Sequence, residues 1–159
     1  MNHLFIIRHA SYGPGPRINP QGVHQLKILG KEIQEIVKND SVLILASTAP
    51  RALDSANTLA PFFKNKIIEP IEYLWSGPDS PNNMLPNHPH PKNLWNIIEE
   101  RKNKADALLM VSHMEVCDLF PSYFFEKEFA RKESIESLPR GKAVWFDLQK
   151  QAFAYLPRH

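Results

Sequence analysis

Arg8-His9 follows directly on the apolar run Leu4-Phe5-Ile6-Ile7, and Ser112-His113 stands at the end of a second apolar run, Ala107 to Val111. A third polar cluster, Ser47-Thr48-Ala49-Pro50-Arg51-Ala52, follows the run Val42 to Leu45. Each cluster falls where a buried strand should stop. In an open parallel α/β sheet, ligands sit at the carboxyl ends of the strands, where loops present reactive groups. Two arginines and two histidines gathered at one such edge read as a phosphate site with a nucleophile in it.

The chemistry explains the residue types. Phosphoryl transfer spreads charge over three equatorial oxygens, so catalysis is mainly positioning plus positive charge. Guanidinium forks supply both. An attacking imidazole needs a free lone pair, and cationic neighbours favour its neutral form. Neither a metal nor another cofactor is called for.

Composition limits the alternatives. A chain of 159 residues that is 43% hydrophobic suits one globular domain, 1–159, and is short for two. One cysteine, Cys117, cannot form an internal disulfide. Only four strongly apolar residues run together before Arg8, which is neither a signal peptide nor a membrane span, so a cytoplasmic protein with no membrane partner is expected. With 19 basic against 17 acidic residues the net charge is +2, no field for nucleic acid. Anion recognition must be local.

Strand and helix patterns alternate along the chain. Strands are expected near 3–8, 41–46, 66–73 and 107–112, and helices near 20–38, 50–63 and 92–103. Asn19-Pro20 reads as a helix start, since Asn accepts from the free first-turn amides and Pro is tolerated at the first helical position. Helical segments follow His113, with Pro121 starting a new turn or kinking the helix. Residues 143–148 and 152–156 read as a hairpin. These elements predict an α/β three-layer sandwich: a mostly parallel central sheet, helices on both faces, and an antiparallel C-terminal hairpin at the edge. Residues 76–93 hold five of the 14 prolines and predict a long loop over the same sheet edge as the histidines.

Taken together, these motifs resemble the histidine phosphatase superfamily, with its phosphoglycerate mutase-like fold, and most closely its small SixA-type phosphohistidine phosphatases. Arg8-His9-Ala10 resembles the Arg-His-Gly/Ala nucleophile motif, and Ile18-Asn19-Pro20-Gln21-Gly22-Val23-His24-Gln25 the helix start that follows it. Ser47, Arg51-Ala52 and Ser55-Ala56 fit Ser-x-x-x-Arg-Ala-x-x-Ser/Thr-Ala, and Ser112-His113 fits the second histidine. The resemblance implies a metal-independent phosphatase with His9 as phosphorylated nucleophile and Arg8, Arg51 and His113 forming the phosphate pocket. The substrate would be a small phosphorylated molecule or a phosphohistidine protein. Phosphoester-cleaving members carry an acid after the third strand; Glu72 matches that position best, and Asp79 is the alternative. The mutase-type Glu-plus-Asn pattern is absent, with Ser11 to Pro16 in its place.

Other readings run beside these. A phosphoglycerate mutase-like transferase is one, and an inactive module that binds phosphorylated ligands is another. Arg17 could contact phosphate, or be a solvated surface arginine. Glu115 could serve as acid, although carboxylates in a first helical turn are favoured for purely electrostatic reasons. His88 and His90 lack Cys or acidic partners at ligand spacing and read as loop residues, with no metal.

Overall fold

Apolar runs bounded by polar residues become the inner strands of a six-stranded central sheet. The structure, a computed structural model, describes residues 1–158. The strands are β1 (His3–Arg8), β2 (Ser41–Ala46), β3 (Asn65–Pro70), β4 (Ala107–Ser112), β5 (Ala143–Asp147) and β6 (Ala152–Leu156), in sheet order β3-β2-β4-β1-β5-β6. β1 to β4 pair in parallel. β5 runs antiparallel to β1, and β6 antiparallel to β5, as the expected edge hairpin.

Alternation along the strands splits the core in two. Phe5, Ile7, Ile44, Leu109 and Val111 pack with Leu26 and Ile33 of α1 (Pro20–Val37) and Ala52 and Leu59 of α2 (Pro50–Leu59). Leu4, Ile6, Leu45 and Met110 point the other way, onto Leu94 and Ile98 of α3 (Pro91–Glu99) and Phe120 and Phe124 of α4 (Met114–Phe129). Three layers result, as the sequence predicts.

Local chemistry sets the boundaries. The Asn19 side chain accepts from Gly22 N at 2.9 Å and caps α1, with Pro20 in its first turn. α2 ends at Leu59, earlier than expected, because Pro61 has no N–H and the chain tightens into a 3-10 turn over Ala60–Phe62. β3 stops at Pro70, and Glu72–Leu74 form a further 3-10 turn rather than strand. α3 ends at Glu99 and α4 runs unbroken through Pro121 to Phe129.

The proline-rich loop is without strand or helix until Pro91, but it is tied down. Asn82 Nδ2 donates to the carbonyls of Glu72 at 2.7 Å and Trp75 at 3.0 Å, and Ser80 Oγ donates to Trp75 O. His88 Nε2 donates to Tyr73 O at 2.8 Å, and His90 Nδ1 accepts from Lys92 N at 3.1 Å as the cap of α3. Both histidines thus have structural partners. Among the described residues, no helix is long and apolar enough to cross a membrane.

Gly22 lies where α1 passes under the chain that leaves β1. A Cβ there would stand 2.2 Å from the Ser11 carbonyl oxygen and 3.1 Å from Ala10 Cβ. In a helix interior Gly→Ala ordinarily stabilises by about 1 kcal/mol. Gly22→Ala is expected to reverse that sign and destabilise by roughly 1–3 kcal/mol, as overpacking does. Chemical denaturation of the two proteins checks it.

Candidate active site

The parallel register aligns Arg8 with Ser112, and His9 N donates to Ser112 O at 2.9 Å. The next residue on each strand is therefore a histidine. The His9 and His113 ring centres lie 5.1 Å apart, and both residues are buried. β2, on the other side of β4, delivers Ser47 and then α2 with Arg51.

Hydrogen bonding fixes the His9 tautomer. Its Nδ1 lies 2.9 Å from the Ala10 carbonyl oxygen, which can only accept, so Nδ1 carries the proton. Nε2 is left with its lone pair, and Arg51 Nε donates to it at 3.3 Å. Burial lowers the His9 pKa to about 4, against the raising effect of the Ala10 hydrogen bond and with the help of Arg51, Arg8 and Arg140. His9 is thus a neutral imidazole with an unprotonated nitrogen facing a guanidinium.

His113 is held in the other tautomer. Arg51 Nη2 donates to its Nδ1 at 3.3 Å, so Nε2 keeps the proton and donates to Ser47 Oγ at 2.7 Å. Burial, then the His9 and Arg51 charges, push its pKa down to about 3. Ser47 Oγ also accepts from Ala49 N at 3.2 Å at the start of α2. Ser55, one turn beyond Arg51, accepts from Ala10 N at 3.0 Å and donates to Arg51 O at 2.7 Å. Ser47 thus bonds His113 directly, while Ser55 ties α2 to the backbone next to His9.

Arg51 is the hub. Besides both imidazoles it meets Asp79, with Nη1 to Oδ2 at 2.8 Å and Nη2 to Oδ1 at 3.2 Å. The Arg51 side chain is 8% exposed and that of Asp79 53%. Asp79 thus covers the open edge of the guanidinium with a planar anion. Arg8 approaches from the α4 side of the sheet. Its Nη1 donates to Leu138 O at 3.0 Å, while its buried Nε–H has no acceptor.

The remaining predicted residues are placed differently. The Arg51 hydrogen bond holds the Asp79 carboxyl below its ordinary pKa, so Asp79 is ionised and unsuited to donate a proton. Glu72 is exposed on the 3-10 turn, and its carboxylate makes no hydrogen bond to the histidines or arginines of the site. Arg17 is 72% exposed and paired with Asp54 at 2.6 Å, which leaves it outside the cluster. Glu115 Oε2 is buried without a partner, and its Oε1 lies 2.8 Å from where a Cβ on Gly77 would stand, with Asp79 Oδ1 at 3.7 Å from the same point. Two residues join the site without a sequence signal: Tyr12, edge-on to His9 at 5.4 Å between ring centres, and Arg140, stacked on Tyr12. Burial pushes the Cys117 thiol up, which leaves it an inert packed side chain.

Two predictions follow from this arrangement. Unfolded histidine titrates near pH 6.5, so below that pH the unfolded chain binds protons that folded His9 and His113 refuse. Stability therefore falls as pH drops from about 6.5 towards 4, by about 1.4 kcal/mol per pH unit for either residue. Urea melts at pH 7 and pH 5 measure the loss, and His9→Asn should make it shallower. Asp79→Asn removes the internal anion from Arg51 and is expected to tighten orthophosphate binding about three- to tenfold, a modest gain because the pair is half exposed. Calorimetric titration with phosphate checks it; weaker binding would show that Asp79 helps to hold the ligand.

The sequence matches no family model and no curated protein. Solved structures do match in shape. A protein histidine phosphatase SixA complexed with tungstate superposes with a TM-score of 0.63 at 13% identity, over 96% of this chain and 93% of that one. A phosphoserine phosphatase of Entamoeba histolytica, in complex with 3-phosphoglyceric acid, gives 0.59 at 16% identity over 98% and 95%. A phosphoglycerate mutase of Plasmodium falciparum gives 0.54 at 18% identity over 96% and 87%. The chain accordingly has the fold that these two phosphatases share with the phosphoglycerate mutase.

Proposed function

We propose that this chain is a phosphatase of the SixA-type histidine phosphatases, working through a phosphohistidine on His9. One observation carries the reading: His9 is held neutral, its proton pinned on Nδ1 by Ala10, and its free Nε2 faces Arg51. A histidine kept only to bind a ligand has no need of that tautomer. The shared fold with the tungstate-bound SixA supports the same assignment.

In the proposed reaction a phosphoryl group displaces Asp79 from Arg51 and lies between Arg51, the unpaired Nε–H of Arg8 and His113. The His9 Nε2 lone pair forms the P–N bond as the bond from phosphorus to the leaving group breaks with its electron pair. Water then attacks phosphorus, the P–N bond breaks, Nε2 recovers its lone pair, and both water protons leave with the phosphate. The guanidiniums balance the equatorial charge, so no step needs a metal. Bound anion also favours a proton on His113 Nδ1, which turns that nitrogen into a donor.

The leaving group is the weak point of this reaction on alkyl phosphates. Asp79 enters the reaction as the carboxylate that Arg51 holds rather than as a protonated acid, and Glu72 makes no hydrogen bond to the histidines or arginines of the site. A well-placed general acid is worth about 10²–10⁴-fold when the leaving group is poor. This supports substrates whose leaving groups need little protonation, such as the imidazole of a phosphohistidine.

Incubation with p-nitrophenyl phosphate should give an acid-labile phosphoryl adduct on His9, read by mass spectrometry; full turnover in His9→Ala would refute the reading. Arg51→Lys should lower kcat/KM about 10²–10³-fold, as loss of a preorganised charge donor does, because an ammonium cannot span two oxygens as the fork does. The acid limb of kcat/KM should fall near pH 4, where His9 takes up its proton, and not near 6.5.

A further inference from the structure

We infer that β3 is a dimerisation edge, along which two copies of this chain pair antiparallel about Ile67 and join their sheets into one. The inference is independent of the phosphatase reading.

β3 is the outermost strand of the sheet, paired with β2 on one side only. Ile71 N, just past its end, donates to Ala46 O at 2.7 Å, so in this parallel ladder the odd-numbered residues turn their backbone groups towards β2. The N–H and C=O of Lys66 and Ile68 therefore point outward, as a template for a further strand. Side chains alternate across the faces, and the odd set borders a groove of about 480 Å³ lined by Leu43, Ile67, Glu69, Lys104 and Ala105. Ile67 is 69% exposed there. An exposed isoleucine by itself is ordinary; one on an open ladder beside a groove is placed to be covered.

The register selects a second copy as the occupant. A two-fold axis normal to the sheet keeps every residue on its own face, so facing residues differ by an even number of positions. With Ile67 facing the partner's Ile67, Lys66 exchanges both N–H···O bonds with the partner's Ile68, and Ile68 does so with the partner's Lys66. The exposed isoleucines cover each other at the axis, and Asn65 faces the partner's Glu69, whose charge Arg101 already offsets at 2.6 Å. Lys66 lies on the other face, where its apolar stem runs along the partner's Ile68. Pro70, which has no N–H to give, falls opposite the partner's Lys64, ahead of the start of β3 at Asn65, and so costs nothing. Centring the pair on Ile68 would set Ile67 against Glu69 and Lys66 against Pro70. An unrelated peptide strand running past Pro70 would lose a bond there.

A contact of this size is at the weak end of specific interfaces, so half-dissociation is expected at about 10–100 µM. Sedimentation velocity between about 1 and 500 µM should then show the mass rise from one chain to two. Ile67→Asp should hold it at one chain throughout. Lys66→Pro should do the same with the fold intact by circular dichroism, since the N–H it removes points away from β2 and an edge strand tolerates proline there. Ile67→Cys reports the register: facing residues in a non-hydrogen-bonded pair have Cα atoms about 4.5 Å apart, within disulfide reach, so a mild oxidant should link the dimer through that position. Cys117 is buried and does not compete. Lys66→Cys should not link, because the two copies of that residue stand on a diagonal about 7–8 Å apart. A single chain at every concentration, a dimer that survives both Ile67→Asp and Lys66→Pro, or linking through residue 66 in preference to residue 67 overturns the inference.

Discussion

The parallel pairing of β1 with β4 is the constraint from which the site follows. Its register sets Arg8 opposite Ser112 and closes with the bond from His9 N to Ser112 O, so the two histidines leave adjacent strands at the same level. A slip of one residue would turn every side chain on β1 to the other face of the sheet. Leu4 and Ile6 would change places with Phe5 and Ile7 between two filled cores. The register that buries Leu4 to Ile7 and Ala107 to Val111 in the two cores is thus the same one that aligns the imidazoles.

Arg51 then converts alignment into electrostatics. One buried guanidinium touches both histidines, donating to the nitrogen of each that lacks a proton. The two tautomers are opposite, and each is fixed by a partner at the far side of the ring: the Ala10 carbonyl for His9 and the Ser47 hydroxyl for His113. Burial of a cation beside two imidazoles disfavours their protonation and would be costly if nothing offset it. Asp79 does so from the solvent side, and a phosphoryl group would meet the same open edge.

The proline-rich segment illustrates how the fold uses a region with no regular structure of its own. The four prolines before α3 keep the segment out of helix and strand, yet side-chain bonds from Ser80, Asn82 and His88 fasten it to residues 72–75. That attachment is what carries Asp79 to Arg51. The loop contributes a charge to the site by being tied to the end of β3, over which Ser112 Oγ also bonds to Leu74 O at 2.6 Å.

How much of this was legible in the sequence depends on the range of the interaction. Strands, helices, the edge hairpin and the positions of Arg8, His9, Arg51 and His113 are encoded by local periodicity, caps and strand-end placement, all of which act within a few residues. The ends of α2 and β3 shifted because Pro61 and Pro70 act on hydrogen bonds that periodicity does not count. The ionised state of Asp79 and the pairing of Arg17 with Asp54 were beyond reach, since each is decided by a partner far along the chain. Arg140 left no trace at all: it reaches the site only because β5 pairs antiparallel with β1 and returns the chain to His9. Sequence alone therefore determined which groups could do phosphoryl chemistry and which edge of the sheet would hold them. Tertiary structure decided their tautomers, their ion pairs and the additional cation at the rim, because those depend on distances between residues that only the folded sheet brings together.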